Sequence, residues 1–168
     1  MNEFAELLDR LAYEPGRNNK LRLIVDYFRR TPDPDRGWAL AAFTGALSFR
    51  HAKPAMLKAL MADRIDPVLF DLSRDYVGDL SETIALLWKA EGPARNSRLS
   101  LDEIVRGLAS LGKAELPAQI ARWLDTLDEK GRWALLKLVT GGLRIGVSAR
   151  LAKTAAAAIG AKDVTEIE

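Results

Sequence analysis

Apolar residues recur along this chain with the period of an α-helix. Two sets near its start have the spacing i, i+3, i+4 and i+7: Phe4, Leu7, Leu8 and Leu11, then Leu21, Ile24, Val25 and Phe28. This spacing puts four apolar side chains on one face of a helix, where they can be buried together. No run of alternating β-branched residues competes with it. The pattern therefore predicts an all-α fold.

Proline, glycine and capping residues divide the remainder into short helices. Three places have residues that start a helix: Asp33 before Pro34, Asp79 with Glu82 three residues later, and Ser100 with Glu103. The last two have the spacing of a capping box, and a proline directly after Asp33 suits the first helical position. With further helices predicted over 117–127, 129–140 and 148–159, the chain should form about ten to twelve short helices.

The sequence also resembles itself at an offset of about one hundred residues. Trp38-Ala39-Leu40 precedes Thr44-Gly45, and Trp133-Ala134-Leu135 precedes Thr140-Gly141. Two copies are too few for a solenoid, so we expect two pseudo-symmetric halves around a two-fold axis. The predicted domain spans residues 1–162, with halves of about 1–77 and 78–162, and 163–168 would begin a linker.

Composition narrows the chemistry. The 168 residues are 48% hydrophobic, which suits one globular domain, and no apolar run approaches a membrane span. The absence of cysteine and the single His51 argue against a disulfide framework, a thiolate nucleophile and the usual metal centres. We therefore expect a cytoplasmic protein with no metal site, no membrane contact and no secretion signal. We also expect it to be a monomer.

Charge is segregated along the chain although its net value is only +2. No acid lies between Glu129 and Asp163 or between Asp35 and Asp63, and both stretches carry several cations. They occupy equivalent parts of the two copies, so a two-fold axis would present two similar basic turns. Duplex DNA offers phosphates along two antiparallel strands, which makes it a suitable partner for such a pair.

The most specific segment is Thr140-Gly141-Gly142-Leu143-Arg144-Ile145-Gly146-Val147-Ser148. Glycines allow backbone N–H groups to approach an oxyanion, Arg144 can grip a phosphate with two hydrogen bonds, and Ser148 can cap the next helix. This chemistry holds a phosphodiester and does not break one. The segment equally fits a structural interpretation, a glycine C-cap followed by a helix.

This segment resembles the TGGLRIG signature, with its following serine, in the N-terminal DNA-binding domain of ATP-dependent DNA ligases, especially the bacterial and archaeal repair-type enzymes. Further matches in the expected order are Gly16-Arg17 with Lys20, Trp38-Ala39 to Thr44-Gly45, and Gly78 to Ile84. The resemblance implies an all-helical domain of two pseudo-symmetric halves that lies on the minor groove of nicked duplex DNA and holds phosphates on both sides of the nick.

Carried over by position, the resemblance implies a DNA-binding set from three parts of the chain. Its members are Thr140, Gly141, Gly142, Arg144 and Ser148 in the second copy, Gly45, Arg50, His51 and Lys53 in the first copy, and Gly78, Arg17 and Lys20 outside these turns. The first-copy turn lacks the second glycine. His51 also fits an exposed loop residue with no role, and Asp79 is expected to cap its helix while the Gly78 amide contacts DNA.

The family's adenylated lysine lies in a Lys-x-Asp-Gly motif, and no such tetrapeptide occurs here. The chain is therefore expected to have no catalytic residue and to be inactive alone, although its parent protein would be a DNA ligase. It should bind no cofactor, ATP and Mg²⁺ being implied for the adenylation domain. Implied partners are nicked duplex DNA and the adenylation and OB-fold domains of the same ligase, in nucleoid-associated repair, recombination or replication. The alternative is a helical protein–protein interaction module without DNA binding.

Overall fold

A computed structural model describes residues 1–77, 79–89, 99–141, 143 and 147–160. This part of the chain contains ten α-helices and no strand, so the predicted all-α class is confirmed. The helices are α1 (Asn2–Tyr13), α2 (Arg17–Arg30), α3 (Asp35–Phe43), α4 (Pro54–Ala62), α5 (Pro67–Val77), α6 (Leu80–Leu87), α7 (Leu101–Ser110), α8 (Leu116–Thr126), α9 (Glu129–Thr140) and α10 (Ala149–Gly160).

The helices share one hydrophobic core to which all ten contribute. Of the eight apolar residues whose spacing predicted α1 and α2, seven are buried and Leu21 is partly buried against the same core. Helix α9 contributes seven buried residues among its twelve. It packs on α1, α6 and α8, so it occupies the centre of the bundle. Among the described residues, no helix is long and apolar enough to cross a membrane.

Helix pairs that join the two sequence copies organise this core. By the repeat, α1, α2, α3 and α4 correspond to α7, α8, α9 and α10. Helix α1 packs on α9 while α7 packs on α3, and α2 packs on α10 while α8 packs on α4. Each contact is thus matched by its counterpart with the copies exchanged, as a two-fold relation requires. The copies interlock, and the boundary between them at residues 77 and 78 stays a prediction.

Polar contacts fasten two of these helix pairs, α3 with α7 and α4 with α8. The Trp38 indole N–H of α3 donates to Asp102 of α7 over 2.6 Å. Arg64, just after α4, makes two hydrogen bonds of 3.1 and 3.2 Å to the Asp125 carboxylate of α8. Bidentate guanidinium–carboxylate pairs are geometrically specific. The Arg64 guanidinium also lies 4.5 Å from the Trp88 ring centre. These contacts fix the register of the interlocked helices.

The predicted N-cap at Asp33 is wrong. Helix α3 begins at Asp35, with Pro34 at the capping position and no side chain bonded to its first N–H groups. The Asp35 carboxylate instead accepts hydrogen bonds from the N–H groups of Leu101 (3.2 Å) and Asp102 (2.9 Å) at the start of α7. The acid acts on a helix far away in sequence, because a carboxylate near a helix N-terminus satisfies N–H groups that have no partner within the helix.

Gly107 of α7 is expected to resist substitution. A Cβ atom at this position would lie 2.5 Å from Cη2 of the buried Trp123 ring. We expect Gly107→Ala to destabilise the protein by about 1–2 kcal/mol, since overpacking outweighs the gain in helix propensity. Urea unfolding measures this change. Gly112→Ala is the control, because a Cβ there meets nothing within 4 Å, and an equal loss for both variants would contradict the prediction.

Candidate nucleic-acid interface

Two equivalent glycine turns end α3 and α9. Gly45 has a φ of +75° and Gly141 a φ of +69°, which is the left-handed region that favours glycine. A threonine precedes each glycine, and its hydroxyl donates to a carbonyl of the helix: Thr44 to Leu40 over 3.0 Å and Thr140 to Lys137 over 3.5 Å. The repeat seen in the sequence is therefore a repeat of backbone geometry.

Both turns are open to solvent. Gly45 and Gly141 are exposed, and a Cβ atom on either would meet nothing within 4 Å. Backbone conformation and not crowding therefore explains the glycine requirement. Gly141 closes α9 with its N–H bonded to the Lys137 carbonyl, so the C-cap interpretation holds at this residue. The predicted contacts Gly142 and Arg144 lie outside the described residues.

Ser148 starts α10 as predicted. Its hydroxyl oxygen accepts a hydrogen bond from the Leu151 N–H over 3.0 Å, which makes it the helix cap. Ser148 and the following Arg150 are exposed. An exposed helix N-terminus with an adjacent guanidinium is an arrangement that favours anions. Its use in binding stays a prediction.

The loop before α4 carries the first-copy cations. Buried Phe49 and Ala52 anchor this loop in the core, while Arg50 and Lys53 are exposed. His51 is half-buried. Because the buried and the charged residues alternate, the Arg50 and Lys53 side chains are held at the surface beside the start of α4. The predicted DNA contacts of these three polar residues remain untested.

The two predicted residues of α2 differ in their surroundings. Arg17 is exposed at the first position of the helix. Lys20, one turn later, is half-buried and has an interaction partner within the protein. Arg17 is thus the more accessible cation of the pair. Helix α2 packs along α10, which begins after Ser148.

The acid-free stretches present fewer surface cations than their sequence suggests. Four of their basic side chains are held within the fold: Arg36 by the Thr31 carbonyl (2.9 Å), Arg132 by the Leu124 carbonyl (2.7 Å), Lys130 by Glu6 (3.0 Å) and Asp9 (3.3 Å), and Lys137 by Asp79 (3.0 Å). Arg50, Lys53, Lys58 and Arg150 are exposed and pair with no other side chain in the ranges described. Within the described part of these two stretches, these four are the exposed cations that a polyanion could reach.

Lys137 is a structural residue that the sequence reasoning missed. Its side chain is only 8% exposed, its ammonium lies 3.0 Å from Asp79 Oδ2, and it lies 5.7 Å from the Trp133 ring centre. Asp79 also caps α6 as predicted, accepting from the Glu82 N–H over 2.9 Å and from the Ser81 hydroxyl. The run of buried apolar residues on both sides of Lys137 was the available signal. The predicted contact Gly78 lies outside the described residues.

This ion pair joins two of the predicted contact regions. Asp79 directly follows position 78, and Lys137 lies one helical turn before Gly141. The pair therefore holds the start of α6 against the last turn of α9. Helix α10 likewise packs on both α2 and α3. No hydrogen bond or ion pair links the 50–53 loop to the Thr140–Gly141 turn among the described residues, and their common use in binding stays a prediction.

The Asp79 carboxyl gives a pH dependence with a definite sign. Burial alone would raise its pKa, but hydrogen bonds from Ser81, the Glu82 N–H and Lys137 outweigh burial and lower the pKa from 3.8 to about 2. The charged form therefore stabilises the fold above about pH 4, and this contribution is lost as the pH falls through about 2. We expect the stability difference between the unaltered protein and Asp79→Asn to shrink over that window in urea titrations; a difference independent of pH would contradict this assignment.

Comparison with known protein families identifies a match for this chain. The family model described as DNA ligase N terminus matches residues 1–157, which is nearly the whole chain. No curated protein sequence matches the chain. The match covers all the described helices except the last three residues of α10.

Proposed function

Because this chain belongs to the DNA ligase N terminus family, we propose that it binds nicked duplex DNA through sequence-independent phosphate contacts along the minor groove. In this proposal the chain holds both sides of the nick while other domains of the ligase seal it. The observation that supports the proposal best is the pair of equivalent glycine turns at Gly45 and Gly141. Exposed cations accompany both, with Arg50 and Lys53 after the first and Arg150 after the second.

The sequence also bears on which steps of ligation we assign to this chain. Lys-x-Asp-Gly is absent from it, so we assign ATP and Mg²⁺ chemistry to an adenylation domain and give this chain no chemical step. The DNA and the adenylation and OB-fold domains are its proposed partners. We extend the proposal to a monomeric, cytoplasmic ligase acting in repair, recombination or replication.

A salt series on nicked and intact duplexes tests the proposal. With about five phosphate contacts, log affinity should fall against log salt with a slope of about −4 to −5. Fluorescence anisotropy with two unrelated sequences measures the slope and the sequence independence together. Equal affinity for nicked and intact DNA would assign nick recognition to other domains, and a flat salt response would contradict DNA binding through phosphates.

Arg144→Ala tests the residue that the sequence singles out. Loss of one phosphate contact should weaken binding to all sequences alike and flatten the salt slope by about one unit. The same anisotropy series measures both effects. Unchanged affinity would remove Arg144 from the proposed site.

A further inference from the structure

A groove unrelated to the glycine turns runs over the first half of α9 between α1 and α6. It has a volume of about 650 Å³. Its lining comes from three helices: Asp9, Ala12 and Tyr13 of α1, Glu82, Ala85 and Leu86 of α6, and Glu129, Lys130 and Trp133 of α9. Grooves of this size accommodate several large side chains of a ligand. We call this feature the acidic groove.

Large apolar side chains that line the acidic groove are exposed to solvent. Tyr13 is 83% exposed and Leu86 is 62% exposed, and they lie with Trp133 along the same depression. Single exposed apolar residues are common on protein surfaces, but several gathered in one concavity indicate a site for a partner. The groove therefore has an apolar surface that a bound segment could cover.

Charge around this surface is negative. Asp9, Glu82 and Glu129 contribute carboxylates. Lys130, the one cation among the described lining residues, is held by Glu6 and Asp9 at 3.0 and 3.3 Å. Glu82 and Glu129 are exposed, and within the described ranges their carboxylates form no ion pair. Two accessible carboxylates therefore remain beside the apolar surface. This is the opposite sign from the surface proposed for DNA.

From this complementarity we infer that the acidic groove binds a basic amphipathic helix of another polypeptide. Such a helix would lay large apolar residues at i, i+3, i+4 and i+7 against Tyr13, Leu86 and Trp133. Its Lys and Arg side chains would meet Glu82 and Glu129. Electrostatic complementarity of this kind selects partners and orients them on encounter.

A second copy of this chain is a poorer occupant. The other large exposed apolar residues of the described chain are Val68, Leu69 and Leu72 on α5. Their helix also carries the exposed acids Asp71 and Asp75. Pairing this surface with the acidic groove would bring like charges together, which costs free energy. A basic segment avoids that repulsion.

The Glu129 end of the acidic groove lies away from the Gly141 turn. Glu129 begins α9 and Gly141 follows its end, which places them about 18 Å apart along the helix axis. A segment in the groove would therefore leave the Gly141 turn accessible. The inference does not depend on DNA binding. An experiment can therefore disprove helix binding or DNA binding without disproving the other.

Matched leucine variants test the inference. The probe is a fluorescent 16-residue peptide with Leu and Trp at i, i+3, i+4 and i+7 and Lys elsewhere, and anisotropy measures its affinity. Leu86→Asp should weaken binding about tenfold or more, since it removes an apolar anchor and adds a like charge to the groove. Leu72→Asp is the control, because Leu72 is 63% exposed on α5 against 62% for Leu86 and should leave affinity within about twofold.

Charge is tested in the same assay. The double variant Glu82→Gln/Glu129→Gln should weaken binding and reduce its salt dependence, and a peptide with Glu in place of Lys should not bind the unaltered protein. Equal effects of Leu86→Asp and Leu72→Asp, or equal binding of the Glu peptide, would overturn the inference. So would sedimentation that shows self-association abolished by Leu86→Asp, because the occupant would then be a second copy. DNA affinity of Leu86→Asp, measured in parallel, should be unchanged.

Discussion

The triple variant Arg50→Gln/Lys53→Gln/Arg150→Gln is expected to bind duplex DNA about 500-fold more weakly than the unaltered protein in 0.1 M salt. Each cation that neutralises a phosphate releases about 0.9 of a counterion, so three lost contacts change affinity by the salt concentration raised to about the power 2.7. The slope of log affinity against log salt should flatten by the same amount, about 2.7. Anisotropy over a salt series measures both quantities.

These three side chains suit the experiment because they are exposed and pair with no other side chain in the described chain. Their replacement should leave the urea unfolding midpoint unchanged. The control is Arg10→Gln/Lys113→Gln/Arg122→Gln, which removes the same charge at exposed positions outside both acid-free stretches. If the control triple weakens binding as much, the effect is one of net charge and the proposed surface is wrong.

The second large effect is on stability. Asp79→Ala is expected to destabilise the protein by about 3 kcal/mol, because it removes a helix cap and leaves the Lys137 ammonium in the core without its counterion. Lys137 is the vulnerable partner, with a side chain 8% exposed against 41% for Asp79. Urea unfolding at neutral pH measures the loss.

Ser100→Ala separates the cap from the charge. Ser100 caps α7 through the Glu103 N–H over 3.0 Å and has no charged partner, so its loss should cost only about 1 kcal/mol. Adding Lys137→Met to Asp79→Ala should recover part of the stability, since an apolar side chain of similar length removes the unpaired charge. The proposed role of the Asp79–Lys137 pair is wrong if Asp79→Ala lowers the free energy of unfolding no more than Ser100→Ala. It is also wrong if adding Lys137→Met lowers that free energy further.

Local sequence was sufficient for most of the fold. Apolar spacing predicted α1 and α2, and the residues at Asp79, Ser100 and Ser148 cap their helices as expected. These features depend on neighbours within one or two turns, which the sequence displays directly. Asp33 does not cap α3, and the bonds of Asp35 to the distant helix α7 could not be predicted from neighbouring residues. The DNA-binding assignments of the candidate site remain predictions.

What the sequence by itself determined is the helical class, the two copies and the glycine turns, because periodicity and a positive φ are properties of a short segment. Only the tertiary structure decided which charges are available. Lys137 meets Asp79 across 58 positions and Lys130 meets Glu6 across 124, so a run that reads as uniformly basic divides into internal ion pairs and free cations. Contacts between residues that are distant in the sequence decide which cations are paired. Such contacts also form the acidic groove between α1, α6 and α9.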